Sequence, residues 1–460
     1  MFENIIGQPV VERLRADIAN NVLAPSMLFA GHPASGKSTV ALEIGRAFSC
    51  KETNAPWNCG CIACSHHRDL SHDDLIAMGP RAFSAEIAAA CSAFQRNASS
   101  DPTYKLFVRS IRKLLMRFSP VLWADDPKIT KLNSLLETIN GIMEEIREEL
   151  KLLAESPDRN SEKFSKLCDA ALKHTQKLEA EGIADTIPVS HIRGAAYWLR
   201  MAPSGKRKLL IIENADRMQD AARNSLLKIL EEPPETCAII LCSSKPEALL
   251  PTILSRLRPY GFARREKAAE AEVVRRIFKD TEFTVSTHDK MENGITAYLD
   301  KFLPVPKNVI YPVSAFFWIS TAAHVKIILR DRGIPDEKMP SALAAIEKHC
   351  VPIAEAAGLG KAALNVKNLC TAVLSAVGKF EGRGVFTIFL GLLCRCLSES
   401  LFSIKAEKAD VKADVVCAVY ARTLLKYAGE ARTAVDIFNQ NPALALENLS
   451  GSLAYSLAEL

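Results

Sequence analysis

The sequence lacks a hydrophobic segment long enough to span a membrane. Its longest apolar run, residues 385–397, is interrupted by Thr387 and Arg395 and is too short to cross a bilayer. The N-terminal residues 1–4 contain neither the basic nor the apolar region of a secretory signal. These absences argue against a membrane or secreted protein, and the expected location is the cytoplasm.

A strong charge imbalance is also missing. The net charge is +5 over 460 residues, so charge alone does not indicate DNA binding. Thirteen cysteines without a secretion signal indicate a reducing compartment. The apolar content of 48% is sufficient for hydrophobic cores, and a chain of this length is expected to form about two to four domains.

One segment matches the phosphate-binding pattern G-x-x-x-x-G-K-[ST] at every position. It follows an apolar stretch at 27–30 and precedes a helix-forming sequence. In such a P-loop, backbone N–H groups face the phosphates, the lysine neutralises β/γ charge and the serine ligates Mg²⁺. A plain turn between a strand and a helix is the alternative. The pattern predicts an ATP and Mg²⁺ site at Gly31, Ala34, Ser35, Gly36, Lys37, Ser38 and Thr39.

A second apolar stretch, residues 209–212, predicts a buried parallel strand that ends at Glu213. In P-loop ATPases an acid at this position helps to hold Mg²⁺, and in one branch a glutamate that activates water follows it. Here the following residue is Asn214. An amide cannot take a proton, and loss of a general base costs ~10²–10⁴ in rate. The chain is therefore expected to bind ATP and to hydrolyse it slowly.

A cluster of cysteines follows the P-loop helix, within residues 50–67. Four thiols so close together suit a tetrahedral structural zinc site without an open coordination position. His66 or His67 could replace one thiolate, and a set of free thiols is the alternative. Zinc in such a site would stabilise the fold and take no part in chemistry. The candidate ligands are Cys50, Cys59, Cys61 and Cys64.

These segments together resemble the bacterial clamp-loader AAA+ family of DNA polymerase III. The resemblance also rests on residues 6–8, on the stretch 224–234 and on Ser255-Arg256, and it covers about residues 1–80 and 186–262. Within that family, residues 211–218 are more similar to delta-prime subunits than to the gamma/tau motor, whose strand ends in Asp-Glu.

The sequence departs from the family pattern in three places. Only Gly60 separates Cys59 from Cys61, where the family has two residues between its second and third ligands. Leu257 stands where the family has a cysteine after the arginine. A lid arginine is expected near residues 294–297 and is missing from the sequence there.

The resemblance implies an α/β plus all-α architecture. We expect an AAA+ domain with a parallel sheet at 1–259, a small helical lid at 260–303 and a C-terminal helical collar for ring assembly at 304–460. Prolines at 304 and 306 suggest a linker between the last two.

The family pattern does not require residues 81–186, which have helical periodicity. Apolar residues recur at three- and four-residue steps over 132–153 and predict an amphipathic helix that pairs with another at 170–178. The basic stretch 104–117 is interpreted as a solvated helix face, with contact to DNA or to a partner as the alternative. His191 is expected to be structural.

The resemblance implies that Arg256 points into the ATP site of a neighbouring subunit. A guanidinium is suited to bind γ-phosphate oxygens there, although an ordinary surface arginine is the alternative. Ser243 or Ser244 occupies the position of a polar sensor of the γ-phosphate.

The implied partners are gamma/tau-like and delta-like clamp-loader subunits and, through the complex, the sliding clamp and primed DNA. A gamma/tau-type hydrolysing motor, in which Asn214 is tolerated or Asp216 substitutes, is the second hypothesis. An unrelated zinc-bearing P-loop regulator is the third.

Overall fold

The computed structural model of the protein describes residues 1–97, 100–155, 162–184, 186–284, 293–303, 307–339, 341–359, 388–397, 399–400, 422–424, 426–434, 440 and 442–458. The chain divides into two units, Met1–Phe302 and Leu303–Leu460. The suggested linker prolines at 304 and 306, and the first three residues of the apolar run 385–397, lie outside the described residues.

The first unit is built on a parallel sheet of five strands in the order β2-β3-β4-β1-β5. All neighbouring strands pair in parallel, so the carboxyl ends of all five strands lie at one edge of the sheet. Ligands bind at this edge in such folds. The predicted α/β class is confirmed. The strands are β1 Ser26–Gly31, β2 Leu75–Met78, β3 Lys208–Glu213, β4 Cys237–Ser243 and β5 Arg258–Phe262.

Helices cover both faces of this sheet. Successive strand residues point to opposite faces, so Leu209 and Ile211 enter one core with α2 while Leu210 and Ile212 enter the other with α9 and α10. The helices are α1 Val10–Ala19, α2 Lys37–Ser49, α3 Ile62–Arg68, α4 Ser84–Arg96, α5 Asp101–Leu115, α6 Pro120–Trp123, α7 Lys128–Glu155, α8 Glu162–Gly182, α9 Val189–Arg200, α10 Asp220–Glu231, α11 Pro251–Leu254, α12 Lys267–Phe278 and α13 Gly294–Asp300.

The segment between β2 and β3 is helical, as predicted. Helices α7 and α8 pack against each other. The apolar residues of α7 that the periodicity singled out join the same core as the sheet, including Leu132, Ile139 and Ile146. The side chain of Leu153 lies outside the described residues. The predicted helical pair is therefore confirmed, and it extends the core of the α/β unit.

Strand β5 extends beyond the boundary expected at 259–260 and ends at Phe262. The described part of the segment expected to form a helical lid contains the helices α12 and α13. The buried carboxylate of Glu270 joins them, because it accepts hydrogen bonds from the Gly294 backbone N–H and the Asn293 side chain, both at 2.8 Å.

Within its described residues, the second unit consists of helices joined by turns and contains no strand. It contains α14 Lys307–Asp331 and α15 Ser341–Ala356, a shorter helix Ile388–Leu397 and the helix Pro442–Ala458. Phe317, Trp318 and Phe389 lie in a common core, and the Trp318 indole donates to the Leu393 carbonyl at 3.0 Å.

Helix α14 contains an apolar stretch that the sequence analysis overlooked. Within the described residues, Ile310–Asp331 alone is long and apolar enough to cross a membrane, and 61% of its apolar window is buried inside the protein. Core helices of soluble proteins have the same length and composition, so this stretch is weak evidence for a membrane span.

Candidate functional site

The P-loop connects β1 to α2 in the expected geometry. Gly36 has a φ of 95°, a left-handed conformation that favours glycine. A Cβ at this position would also lie 2.6 Å from a guanidinium nitrogen of Arg265. Arg265 is nearly buried and donates to the Ile6 carbonyl at 2.8 Å and to the Ala34 carbonyl. The loop is thus shaped by its own glycine and held from outside by an arginine that follows β5.

Lys37 lies against its own loop. Its Nζ donates to the Gly31 carbonyl at 2.6 Å and to the His32 carbonyl at 2.7 Å. Burial lowers the pKa of Lys37, and the negative charges of Glu213 and Asp216 partly offset that effect. An incoming phosphate would replace these carbonyls as the partner of Lys37.

Glu213 lies at the end of β3, buried, as the sequence predicted. Arg81 pairs with its Oε1 at 3.2 Å, and Arg117 pairs with its Oε2. Burial would raise the pKa of Glu213, but the charges of Arg81 and Arg117 outweigh burial and lower this pKa to about 2. The carboxylate is therefore ionised at neutral pH, and both of its oxygens have cationic partners.

A close backbone contact brings Arg81 to this carboxylate. Gly79, directly after β2, has a φ of 108°, and a Cβ there would lie 2.0 Å from the Glu213 carbonyl oxygen. Only glycine allows this approach. The side chain of Asn214 donates to the Pro80 carbonyl at 2.6 Å and ties the same two segments together. Asn214 is therefore used as a structural donor in this conformation.

The predicted sensor position contains two different serines. Ser243 is fully buried at the end of β4, where its hydroxyl donates to Asp216 and accepts the Lys245 backbone N–H at 2.9 Å. Ser244 is partly exposed. Asp216 acts on the pKa of Lys37, so the buried Ser243 is linked to the P-loop through Asp216, a connection that the sequence could not show.

The four predicted zinc ligands meet in space. Their Sγ atoms, from Cys50, Cys59, Cys61 and Cys64, lie within 4.8 Å of one another. Tetrahedral zinc with bonds of about 2.3 Å needs sulfurs about 3.8 Å apart, so a small contraction would accommodate the metal. Zinc fits this donor set.

The surroundings of the cluster also suit thiolates. Arg46 is buried, donates to the Cys64 Sγ at 3.0 Å and pairs with Glu43 at 2.6 Å. His67 is engaged elsewhere, since its Nε2 contacts the Ser49 hydroxyl at 2.8 Å. Burial lowers the pKa of His67 to about 3. In the described part of the chain, the group that could hold a metal consists of the cysteines and includes neither His66 nor His67.

Most of the basic stretch 104–117 lies in α5, which ends at Leu115, and the expectation of a solvated face is wrong in part. Arg109 donates to the His67 and Arg68 carbonyls, and Arg112 donates to the Asp69 carbonyl at 2.8 Å. These oxygens lie at the C-terminal end of α3, where carbonyls lack helical partners and the helix dipole favours cations. Two arginines of α5 therefore anchor the cysteine-bearing segment.

Two further cations of this stretch turn toward the sheet. Lys113 pairs with Glu86, and Arg117, which follows α5, pairs with Glu213. Their partners come from α4 and β3, distant in sequence. The sequence showed the spacing of the basic residues, but it did not show which carboxylate each of them pairs with.

Arg256 lies just after α11, and its side chain is 34% exposed. It pairs with Glu231 at 2.7 Å and donates to the Thr252 carbonyl at 2.8 Å. Both contacts of Arg256 lie outside the P-loop. His191 is partly buried against Trp123, with ring centroids 5.1 Å apart, as a structural histidine would be.

The parallel sheet and the P-loop at its carboxyl edge define the class, an α/β P-loop fold. A family model described as "DNA polymerase III, delta subunit" matches residues 6–119 and 131–266. The chain belongs to this family, which confirms the clamp-loader resemblance. The match also includes residues 81–119 and 131–186, so it extends beyond the ranges of about 1–80 and 186–262 on which the resemblance rested.

Curated relatives come from two subunit types. The DNA polymerase III subunit delta' of Pseudomonas aeruginosa is 40% identical over 80 residues, which are 17% of this chain and 24% of that protein. The subunit tau of Bacillus subtilis is 25% identical over 170 residues, 35% of this chain and 30% of that protein. The chain thus spans about a quarter to a third of the length of these relatives.

One solved structure is also similar to this chain. A gamma subunit-related protein from Thermotoga maritima aligns with 59% of this chain and 80% of its own, at 19% identity and a TM-score of 0.24. A score of this size adds nothing to the fold, which the sheet order and the P-loop already define.

Proposed function

We propose that this chain is a delta-prime-like subunit of the DNA polymerase III clamp loader. It binds ATP weakly or without efficient hydrolysis, and it supplies Arg256 to the ATP site of a neighbouring motor subunit while the sliding clamp is loaded on primed DNA. Its partners are gamma/tau-like and delta-like subunits, and the complex acts in the cytoplasm. Family membership supports the clamp-loader part of this proposal.

The observation that carries the proposal is the position of Arg256. Its side chain is 34% exposed, and the contacts of its guanidinium are with Glu231, itself 49% exposed, with the Thr252 carbonyl and, at 3.5 Å, with the Ser255 hydroxyl. Exposed ion pairs contribute about 0–1 kcal/mol, so the arginine can leave this pair for a phosphate at small cost. A permanently charged, forked donor at the surface suits a role in trans.

Slow hydrolysis is supported by the geometry after β3. Asn214 has a φ of 48° and uses its amide on the Pro80 carbonyl. A glutamate at this position would face that carbonyl with a carboxylate and would occupy a left-handed conformation that non-glycine residues other than asparagine and aspartate disfavour. We therefore expect that Asn214→Glu does not restore hydrolysis.

A gamma/tau-type motor is the second candidate. The P-loop is complete, and the similarity to a tau subunit extends over more residues than the similarity to delta' subunits. In this alternative, Asp216 would take the place of the missing base. Its carboxylate already accepts the Ser243 hydroxyl, which makes it a poorer base.

Nucleotide handling distinguishes the two candidates. Lys37→Ala is expected to abolish ATP binding measured by calorimetry, because the lysine supplies the charge that neutralises the β- and γ-phosphates. Lys105→Ala, which removes an exposed lysine paired with Asp101, is the matched control and should bind ATP normally. Steady-state turnover by the isolated wild-type chain should be about 10²–10⁴ slower than that of an active motor subunit.

The opposite result would favour the motor. A turnover rate equal to that of an active gamma/tau-type subunit, lost in Lys37→Ala and kept in Lys105→Ala, would contradict the delta-prime-like assignment. The comparison should use the same buffer and the same ATP concentration, so that only the chemistry differs.

A further inference from the structure

The residues that the P-loop pattern assigns to Mg²⁺ do not fit the metal in this structure. Mg²⁺ demands octahedral oxygen ligands at about 2.0–2.1 Å and usually keeps several waters. Glu213, the acid assigned to the metal, lies buried at the end of β3. Both carboxylate oxygens of Glu213 already have guanidinium partners.

These guanidiniums are held firmly. Arg117 has a side chain that is 5% exposed, and its backbone carbonyl accepts the Trp123 indole N–H at 2.7 Å. The ring of Phe83 lies against both guanidiniums, with the Arg81 and Arg117 carbons 5.3 and 5.2 Å from its centroid. The Nη2 of Arg81 also pairs with Glu86, whereas its Nη1 pairs with Glu213.

The net charge of this cluster equals the net charge of one carboxylate that binds one Mg²⁺. Arg81, Lys113 and Arg117 carry three positive charges, and Glu86 and Glu213 carry two negative ones. The sum is +1, the same as one carboxylate with one Mg²⁺. A divalent cation added to the cluster would repel these cations and would need to displace a guanidinium from Glu213.

The guanidinium of Arg117 is also not saturated by protein acceptors. Its Nε–H is buried and has no hydrogen-bond partner in the described part of the chain. A buried donor without an acceptor is unfavourable, because it has lost its hydrogen bonds to water. An anionic oxygen nearby would relieve that cost.

We propose that Arg81 and Arg117 take the place of Mg²⁺ beside the P-loop, so that this site binds the triphosphate of a nucleotide as the metal-free anion. The inference rests on the proposed nucleotide binding. Lys37 and the N-terminus of α2 would hold the phosphates, and the arginines would supply the charge that the metal supplies in an ordinary site. Metal-free binding would also make ATP hydrolysis slow, because no metal would polarise the phosphoryl group.

The test compares ATP binding to the full chain by calorimetry in excess EDTA and in excess Mg²⁺. We expect the two dissociation constants to agree within about threefold. A loss of about tenfold or more without Mg²⁺ would overturn the inference and leave nucleotide binding intact. Absence of ATP binding in both buffers would overturn both the nucleotide proposal and this inference.

Variants identify the arginines responsible. Arg117→Met should weaken ATP binding in EDTA by about tenfold or more and should make binding depend on Mg²⁺. Arg81→Met, at a more exposed position, gives the same test if Arg117→Met does not fold, as judged by circular dichroism. Arg15→Met is the control, since Arg15 forms an exposed pair with Glu12. If both site variants bind as the wild type does in both buffers, the arginines do not replace the metal.

Discussion

Arg256→Ala is expected to lower the DNA-stimulated ATPase and clamp loading of the assembled complex by at least about tenfold, while the isolated chain keeps its fold and its ATP binding. An arginine finger contributes ~10³–10⁵ in rate in GTPases, and a ring with several ATP sites should show a smaller loss. Arg256→Lys should restore little, because an ammonium lacks the bidentate fork. The measurement is phosphate release by the reconstituted complex with clamp and primed DNA.

Two matched variants separate action in trans from a local structural role. Glu231→Gln removes the ion-pair partner of Arg256 and should leave complex activity unchanged or slightly higher, because the arginine then has no carboxylate to leave. Arg147→Ala, at an exposed arginine paired with Glu144, controls for loss of one surface charge. If Glu231→Gln reproduces the defect of Arg256→Ala, the pair matters locally and the role in trans is wrong.

If the complex that contains Arg256→Ala keeps its full activity, this result would contradict the proposed role of Arg256 in trans more strongly. Arg256 would then be an ordinary surface arginine, and the proposal that this chain activates a neighbour would lose its main support. Assembly should be checked by mass on the same sample, so that a loss of rate is not confused with a loss of the subunit.

Cys64→Ser is expected to abolish stoichiometric zinc binding and to lower the free energy of unfolding by about 2–5 kcal/mol, because loss of a structural metal is among the most destabilising changes. Wild-type protein purified without chelator should contain close to one equivalent of zinc by elemental analysis. Stability is measured by denaturant unfolding, with and without chelator.

The cluster offers a clear control and a clear contradiction. Cys394→Ser changes a cysteine of the second unit, outside the cluster, and should leave the zinc content unchanged. Wild-type protein without zinc would show that the four thiols are free. Loss of the metal should also destabilise α5, because Arg109 and Arg112 of this helix donate hydrogen bonds to carbonyls at the end of α3. Proteolysis within α5 should therefore become faster when the metal is removed.

Local patterns were sufficient for the phosphate loop and the cysteine cluster. The P-loop spacing is contiguous, so its geometry follows from glycines at set positions and from the strand and helix on either side. The thiols likewise lie within one short stretch, and their convergence needs only local turns. Helical periodicity also predicted α7 and its partner, because the spacing of apolar residues reflects one buried face.

Long-range charge pairing could not be predicted in the same way. The sequence displayed a basic helix, and a solvated face was the reasonable expectation. The tertiary structure places Arg117 on Glu213 and Arg81 beside it, across large separations in sequence. A charge alone does not specify its partner, since any carboxylate of the chain is a candidate until the backbone brings one close.

The sequence by itself thus determined the class of the protein, the phosphate loop, the thiol cluster and the missing base after β3. Only the tertiary structure decided that Asn214 binds the Pro80 carbonyl, that Glu213 is held by two guanidiniums and that Arg256 remains at the surface. The physical reason is that the geometry of a motif of adjacent residues is set by the local backbone. An ion pair between distant residues forms only after packing has offset the entropy lost when their segments come together.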